Sequence, residues 1–202
     1  EKGENHMFAV KLDMMKAYDR VEWHYLESIL LKLGLSINFV RLIMKCVTSV
    51  RFSICFNGEL QTFFTRSRGF RQGDPMSPYL FLLCSEGLSS YLAHEEEIGG
   101  LYGVRVCRNA PSISHLLFAD DSLILMKANM QIATTLRRVL STYCESSGQL
   151  VSDAKSSIYF SPNLAVEEKV IICQKLRIFT EAMNVRYLGL LAMVGADRSE
   201  SF

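Results

Sequence analysis

The sequence predicts an α+β domain, in which antiparallel strand pairs carry helices over one face. Three observations support that expectation. Residues Met7 to Met14 alternate, with Phe8, Val10 and Leu12 on one side, which is the two-residue period of a half-buried strand. Asn57-Gly58 stands between two β-prone runs, Arg51 to Phe56 and Leu60 to Thr65, and that dipeptide favours a tight hairpin turn. Longer stretches with helical spacing, opened by capping residues or closed by glycine, separate these strands.

Taken in order, the first strand ends at Asp13. Glu22 to Leu33 has helical spacing and stops at Gly34, a residue suited to closing a helix. Ser36 is placed to cap the next helix, which runs to about Thr48 and leads into the Asn57-Gly58 hairpin. Ser77-Pro78 reads as a helix start, a capping hydroxyl followed by proline at the first helical position, and that helix turns Leu80, Leu83, Cys84 and Leu88 toward a core. After Gly99-Gly100, short strands at Ser114 to Phe118 and Ser122 to Met126 are joined across Ala119-Asp120-Asp121. A helix over Met130 to Ser146 is closed by Gly148. A strand at Ser157 to Phe160, a helix from Val166 to Leu176 and a strand near Arg186 to Leu188 complete the pattern, and no internal repeat or linker interrupts it.

The 202 residues are 49% hydrophobic and 21% charged, enough apolar material for one domain with a core and too little polarity for disorder. The six cysteines are scattered with no Cys-x-x-Cys pair, which argues against a zinc ribbon or a disulfide framework and for reduced thiols inside the cell. No basic, apolar leader opens the sequence and no apolar run is long enough for a membrane span, so an intracellular protein, cytoplasmic or nuclear, is expected. A formal charge of +1 gives no basic footprint for nucleic acid. Arg66, Arg68 and Arg71 cluster locally, as the residues of a solvated loop do.

The chemistry lies in the carboxylates. Asp13 ends a strand, and Asp120-Asp121 occupies a turn bracketed by apolar strand residues, which makes a rigid platform. If the two strands are neighbours, Asp13 and Asp120 converge, and like charges held close are unfavourable unless a cation joins them. Mg²⁺ is the natural candidate, because it accepts a few carboxylates together with substrate phosphate oxygens. Two such ions about 4 Å apart would serve an in-line nucleotidyl transfer. The periodicity leaves open whether the strands are adjacent.

The order of motifs resembles the palm of non-LTR reverse transcriptases, most closely those of plant LINE-type retrotransposons. Phe8-Ala9-Val10-Lys11-Leu12-Asp13 through Ala17-Tyr18-Asp19 is similar to the first palm motif. Arg68-Gly69-Phe70-Arg71-Gln72-Gly73-Asp74-Pro75 through Phe81 is similar to the second, and Phe118-Ala119-Asp120-Asp121 to the third. Ser147-Gly148-Gln149-Leu150 with Lys155-Ser156 resembles the fourth motif and Tyr187-Leu188-Gly189 the fifth. The resemblance implies a polymerase palm-type antiparallel sheet with packed helices, spanning 1–202 and incomplete, with most of the fingers, the thumb and the endonuclease outside it. It implies that Asp13 and Asp120 hold Mg²⁺ with Asp121 assisting, and that Tyr18 lies under the sugar of the incoming nucleotide and excludes a 2′-hydroxyl. Gln72 and Gly73 would let backbone approach the nucleotide, and Lys155 would steady or protonate the leaving phosphate. The implied partners are an RNA template, a DNA primer and dNTPs, with no membrane.

Some residues are assigned structural duty instead: Asp74 to a turn or cap, Asp19-Arg20 to a local contact, Trp23 to the core, and none of the four histidines to a metal. Leu191 stands where plant elements usually have proline, and Ser152 where asparagine is common. The alternative reading is a remnant of a degraded retrotransposon with no activity, and even the leading reading expects no polymerase activity from this segment alone. A host nucleic-acid module is a third reading, which needs a basic face.

Overall fold

A computed structural model describes residues 6–105, 107 and 109–182, together with strand residues 186, 187, 190 and 191. Strand β1 (Met7–Asp13) leads through the one-turn helix α1 (Ala17–Arg20) into α2 (Trp23–Lys32) and α3 (Ile37–Thr48). Four two-residue strands follow: β2 (Arg51–Phe52), β3 (Cys55–Phe56), β4 (Glu59–Leu60) and β5 (Phe64–Thr65). Then come α4 (Ser77–Glu97), β6 (His115–Phe118), β7 (Asp121–Lys127), α5 (Met130–Ser147), β8 (Ser157–Phe160) and α6 (Val166–Leu176). The pair β9 (Arg186–Tyr187) and β10 (Leu190–Leu191) comes last. Leu188 and Gly189, from the expected last strand and fifth motif, lie outside the described residues.

The principal sheet is antiparallel throughout, in the order β6-β7-β1-β8. Its two faces follow from alternation along each strand. Phe8, Val10 and Leu12 of β1, Ile124 and Met126 of β7, and Ile158 and Phe160 of β8 are buried in one core. That core also holds Leu26 and Leu30 of α2, Leu80, Cys84 and Leu88 of α4, Leu136 and Leu140 of α5, and Leu176 of α6. Each such side chain contributes roughly 1.5–3 kcal/mol by leaving water. The opposite face has only a small cluster, Ala9 and Leu123 with Leu125 and Tyr159, and its edge carries exposed Leu116 and Phe118. The helices therefore cover one face and leave the other open, the α+β arrangement expected.

Four local expectations are corrected. Ser77 does not cap α4: its hydroxyl donates to the Arg71 carbonyl (2.7 Å), and Met76 is the residue before the helix. The Asp74 side chain instead accepts from the Met76 N–H (2.8 Å), the turn duty assigned to it. The Asn57-Gly58 turn forms with both residues at positive φ (50° and 85°), but its ladder breaks into β3–β4 and β2–β5. Trp23 is half-buried, held by its indole N–H donating to the Gly69 carbonyl (2.9 Å). Asp19 and Arg20 make distant contacts, Asp19 pairing with Arg66 (3.0 Å) and Arg20 donating to the Gly148 carbonyl (2.9 Å). All six cysteines are free thiols.

Candidate active site

The β1–β7 register sets Asp13 directly opposite Asp121. Cross-strand partners share a face, so both carboxylates stand on the open side of the sheet, in the same row as Lys11 and Leu123. The backbone of Asp13 points away from β7: its N–H donates to Ser156 Oγ (3.1 Å), and its carbonyl accepts from the Ser152 N–H (2.8 Å). Asp13 and Asp121 are therefore a non-hydrogen-bonded pair, the type that brings Cβ atoms closest, about 4.5–5.5 Å. Asp120 sits in the turn joining β6 to β7, beside Ala119, whose φ of 51° tightens it.

Opposed carboxylates repel, and the local counter-charge is Lys11, whose Nζ is 3.4 Å from Asp121 Oδ1. Among the described residues, the carboxylates of Asp13 and Asp120 make no hydrogen bond or ion pair, so two of the three are free to take a ligand. No group of three or more His, Cys, Asp or Glu side chains among the described residues is compact enough to hold a metal by itself. A hard cation such as Mg²⁺ binds through as few as one or two carboxylates and completes its shell with water and substrate phosphate.

The chain beyond Asp13 is fixed by two neighbouring segments. Lys16 adopts a left-handed conformation (φ 49°), which turns β1 into α1. Tyr18 follows, half-buried, with its ring stacked on Phe81 of α4 at 4.7 Å and 13°. The Phe70 N–H donates to the Tyr18 carbonyl and the Gly69 N–H to the Val21 carbonyl, both at 2.8 Å. This brings the loop carrying Gln72 and Gly73 beside Tyr18, and both loop residues are exposed. Gly73 has a φ of +86° and open space where a Cβ would stand. Arg66 and Arg68 are tied to Asp19 and Glu22, so two of the three clustered arginines serve structure.

On the other side, the 147–156 stretch clamps the same segment. The Met15 N–H donates to the Leu150 carbonyl (2.8 Å), and the Glu22 N–H to the Ser147 carbonyl (2.9 Å). The amide of buried Gln149 donates to the Ala17 carbonyl (2.8 Å). Lys155 is exposed on a turn within this stretch. Sequence reasoning missed Lys11, Phe81, Gln149, Ser152 and Ser156 as contributors. Phe81, Gln149 and Ser156 stood within the quoted motifs without a role, and Lys11 lies two residues before Asp13 on the same strand face.

The family described as "Reverse transcriptase (RNA-dependent DNA polymerase)" matches residues 1–191. An uncharacterized mitochondrial protein of Arabidopsis thaliana is 58% identical over 66 residues, which is 33% of this chain and 54% of that protein. A Pol polyprotein from a type-1 R2 retrotransposable element of Popillia japonica is 32% identical over 131 residues, 64% of this chain and 18% of the polyprotein. The matching segment thus spans about half of the plant relative and a minor part of the polyprotein. The fold is similar to telomerase from Candida albicans in complex with a telomeric RNA fragment (TM-score 0.62, 16% identity, 92% of this chain, 29% of that one). Apo telomerase from Candida tropicalis is similar too (TM-score 0.61, 16% identity, 82% of this chain, 32% of that one). The sheet, its row of aspartates and these matches agree: the chain belongs to the reverse transcriptase (RNA-dependent DNA polymerase) family.

Proposed function

We propose that this segment is the palm of a retrotransposon reverse transcriptase and supports two-metal transfer of a nucleotide from a dNTP to a primer 3′-hydroxyl on an RNA template. The observation that carries the reading is the pairing of Asp13 with Asp121 on an open sheet face, with free Asp120 in the adjoining turn. Asp13 and Asp120 would hold Mg²⁺, with Asp121 assisting. When bound, the metal would supply charge neutralisation at phosphate and activation of the attacking hydroxyl. The protein's own contribution is positioning. Tyr18, braced by Phe81, bounds the sugar; Gln72 and Gly73 border the nucleotide with backbone and open space; Lys155 meets the leaving phosphate. The grip on primer and template comes, in this reading, from other parts of a longer polypeptide acting inside the cell.

Primer extension on an RNA template with Mg²⁺, in a full-length polymerase containing this segment, tests the proposal. Extension that vanishes in the Asp120→Asn variant supports it. Extension absent from the native protein as well points to the inactive remnant.

A further inference from the structure

We propose that Ser156 is a positioning residue that fastens the Lys155 turn to the backbone of Asp13. The carboxylate at the reacting phosphate and the cation at the leaving pyrophosphate then move as one unit. This rests on the nucleotidyl-transfer reading above and deepens it.

The argument starts from the β1–β8 ladder. Its pairing ends at Lys11↔Ser157, and two more residues of the same register would set Lys155 opposite Asp13. The chain turns away instead: the N–H groups of Lys155 and Ser156 both donate to the Ser152 carbonyl, at 3.2 and 2.8 Å. That turn lifts Lys155 into solvent and withdraws the backbone carbonyl that the ladder would have offered Asp13. Ser156 is fully buried, and its hydroxyl takes that place by accepting from the Asp13 N–H. The other end of the turn holds the other polar group, the Ser152 N–H donating to the Asp13 carbonyl. Both backbone groups of Asp13 are thus bound by one five-residue turn, which ties the backbone of Lys155 to that of Asp13. An N–H that is partly buried and left without an acceptor is costly, and the hydroxyl supplies the acceptor there.

The test has two parts. In this chain, amide exchange at Asp13 is measured for the native protein, Ser156→Ala and Ser156→Thr, with Val10 and Ile124 as reference amides. Asp13 should exchange about tenfold faster in Ser156→Ala, with the references unchanged, and Ser156→Thr should restore protection. In a full-length polymerase containing the segment, Ser156→Ala should lower turnover about tenfold while leaving KM for dNTP nearly unchanged. Adding Ser156→Ala to Lys155→Ala should cost little more than Lys155→Ala alone, because coupled residues are not additive. Full additivity, or normal turnover in Ser156→Ala while Asp13→Asn is inactive, overturns the positioning role and leaves the metal reading intact. An active Asp13→Asn overturns that reading and this proposal with it. Where Ser156→Ala fails to fold, Ser156→Cys, which keeps the volume with a weak acceptor, is held to the same criteria.

Discussion

Asp13 and Asp121 face each other across the β1–β7 ladder as a non-hydrogen-bonded pair, and Lys11 Nζ, 3.4 Å from Asp121, is their local counter-charge. Both partners of that ion pair are more than a third exposed, so solvent holds its worth to at most about 1 kcal/mol. Lys11→Met should cost no more than that in urea unfolding. It also removes a competitor for the carboxylates, so Mg²⁺ should raise the melting temperature of the variant more than that of the native chain. Equal thermal shifts would show that Lys11 does not compete with the ion.

Asp120→Asn keeps the side-chain shape and removes a carboxylate that has no partner among the described residues. Melting temperature should change little, while extension by a full-length polymerase should fall by about three orders of magnitude or more. Near-normal extension would remove Asp120 from the metal site.

Phe81 is 4% exposed and stacks on Tyr18, so it limits where that ring can lie. Tyr18→Ala should relax discrimination against ribonucleotides, and Phe81→Leu should do so to a smaller extent. Incorporation ratios for deoxy- against ribonucleotides check both. If neither ratio moves, the sugar is read elsewhere.

Gly69 and Gly73 share a positive φ (+81° and +86°) but differ in surroundings. A Cβ on Gly69 would stand 2.5 Å from the Asp19 carbonyl oxygen, which is backbone, whereas nothing lies within 4 Å at Gly73. Gly69→Ala should therefore cost well over the ~1–2 kcal/mol of left-handed strain expected for Gly73→Ala. Chemical denaturation of the two variants side by side decides the matter.

His115 lies between the hydroxyls of Ser89 and Ser114, each 2.9 Å from a ring nitrogen. Burial lowers its pKa from the ordinary 6.5, and Glu96 and Glu86 oppose the shift. The folded chain thus binds this proton less readily than the unfolded chain does. The contribution to stability is complete above pH 6.5 and is lost as pH falls through the lower folded value. His115→Gln should show a shallower loss of stability than the native chain as pH falls below 6.5. Parallel curves would contradict this.

The parts of the fold legible in the sequence are those set by local pattern. Alternation marked β1, and capping residues with glycine stops marked α2, α3 and α5, because these signals act over one or two turns. Ser77 misled because a hydroxyl before proline resembles a cap, and only the loop's path shows that the Arg71 carbonyl lies within reach. The ladder beyond Asn57-Gly58 broke where exposed Ile54 and Phe63 find no second layer to cover them. At the candidate site, the motifs singled out Asp13, Asp120 and Asp121, and the β1–β7 ladder sets Asp13 opposite Asp121. The hydroxyl of Ser156 was invisible because its partner, Asp13, is 143 positions away and the bond exists only once β8 has docked on β1.

The tether between Lys11 and Asp121 has a consequence for inheritance. One lysine against three aspartates, in a pair exposed to solvent, relieves the repulsion of the acidic row only in part. Selection on the shape of this domain and selection on its chemistry would therefore act differently on these carboxylates. A lineage released from selection on that chemistry would lose little in folding by replacing Asp13 or Asp120, whose carboxylates make no bond among the described residues. Substitutions at Gly69, where a Cβ would meet the Asp19 backbone, would be purged for as long as the chain must fold.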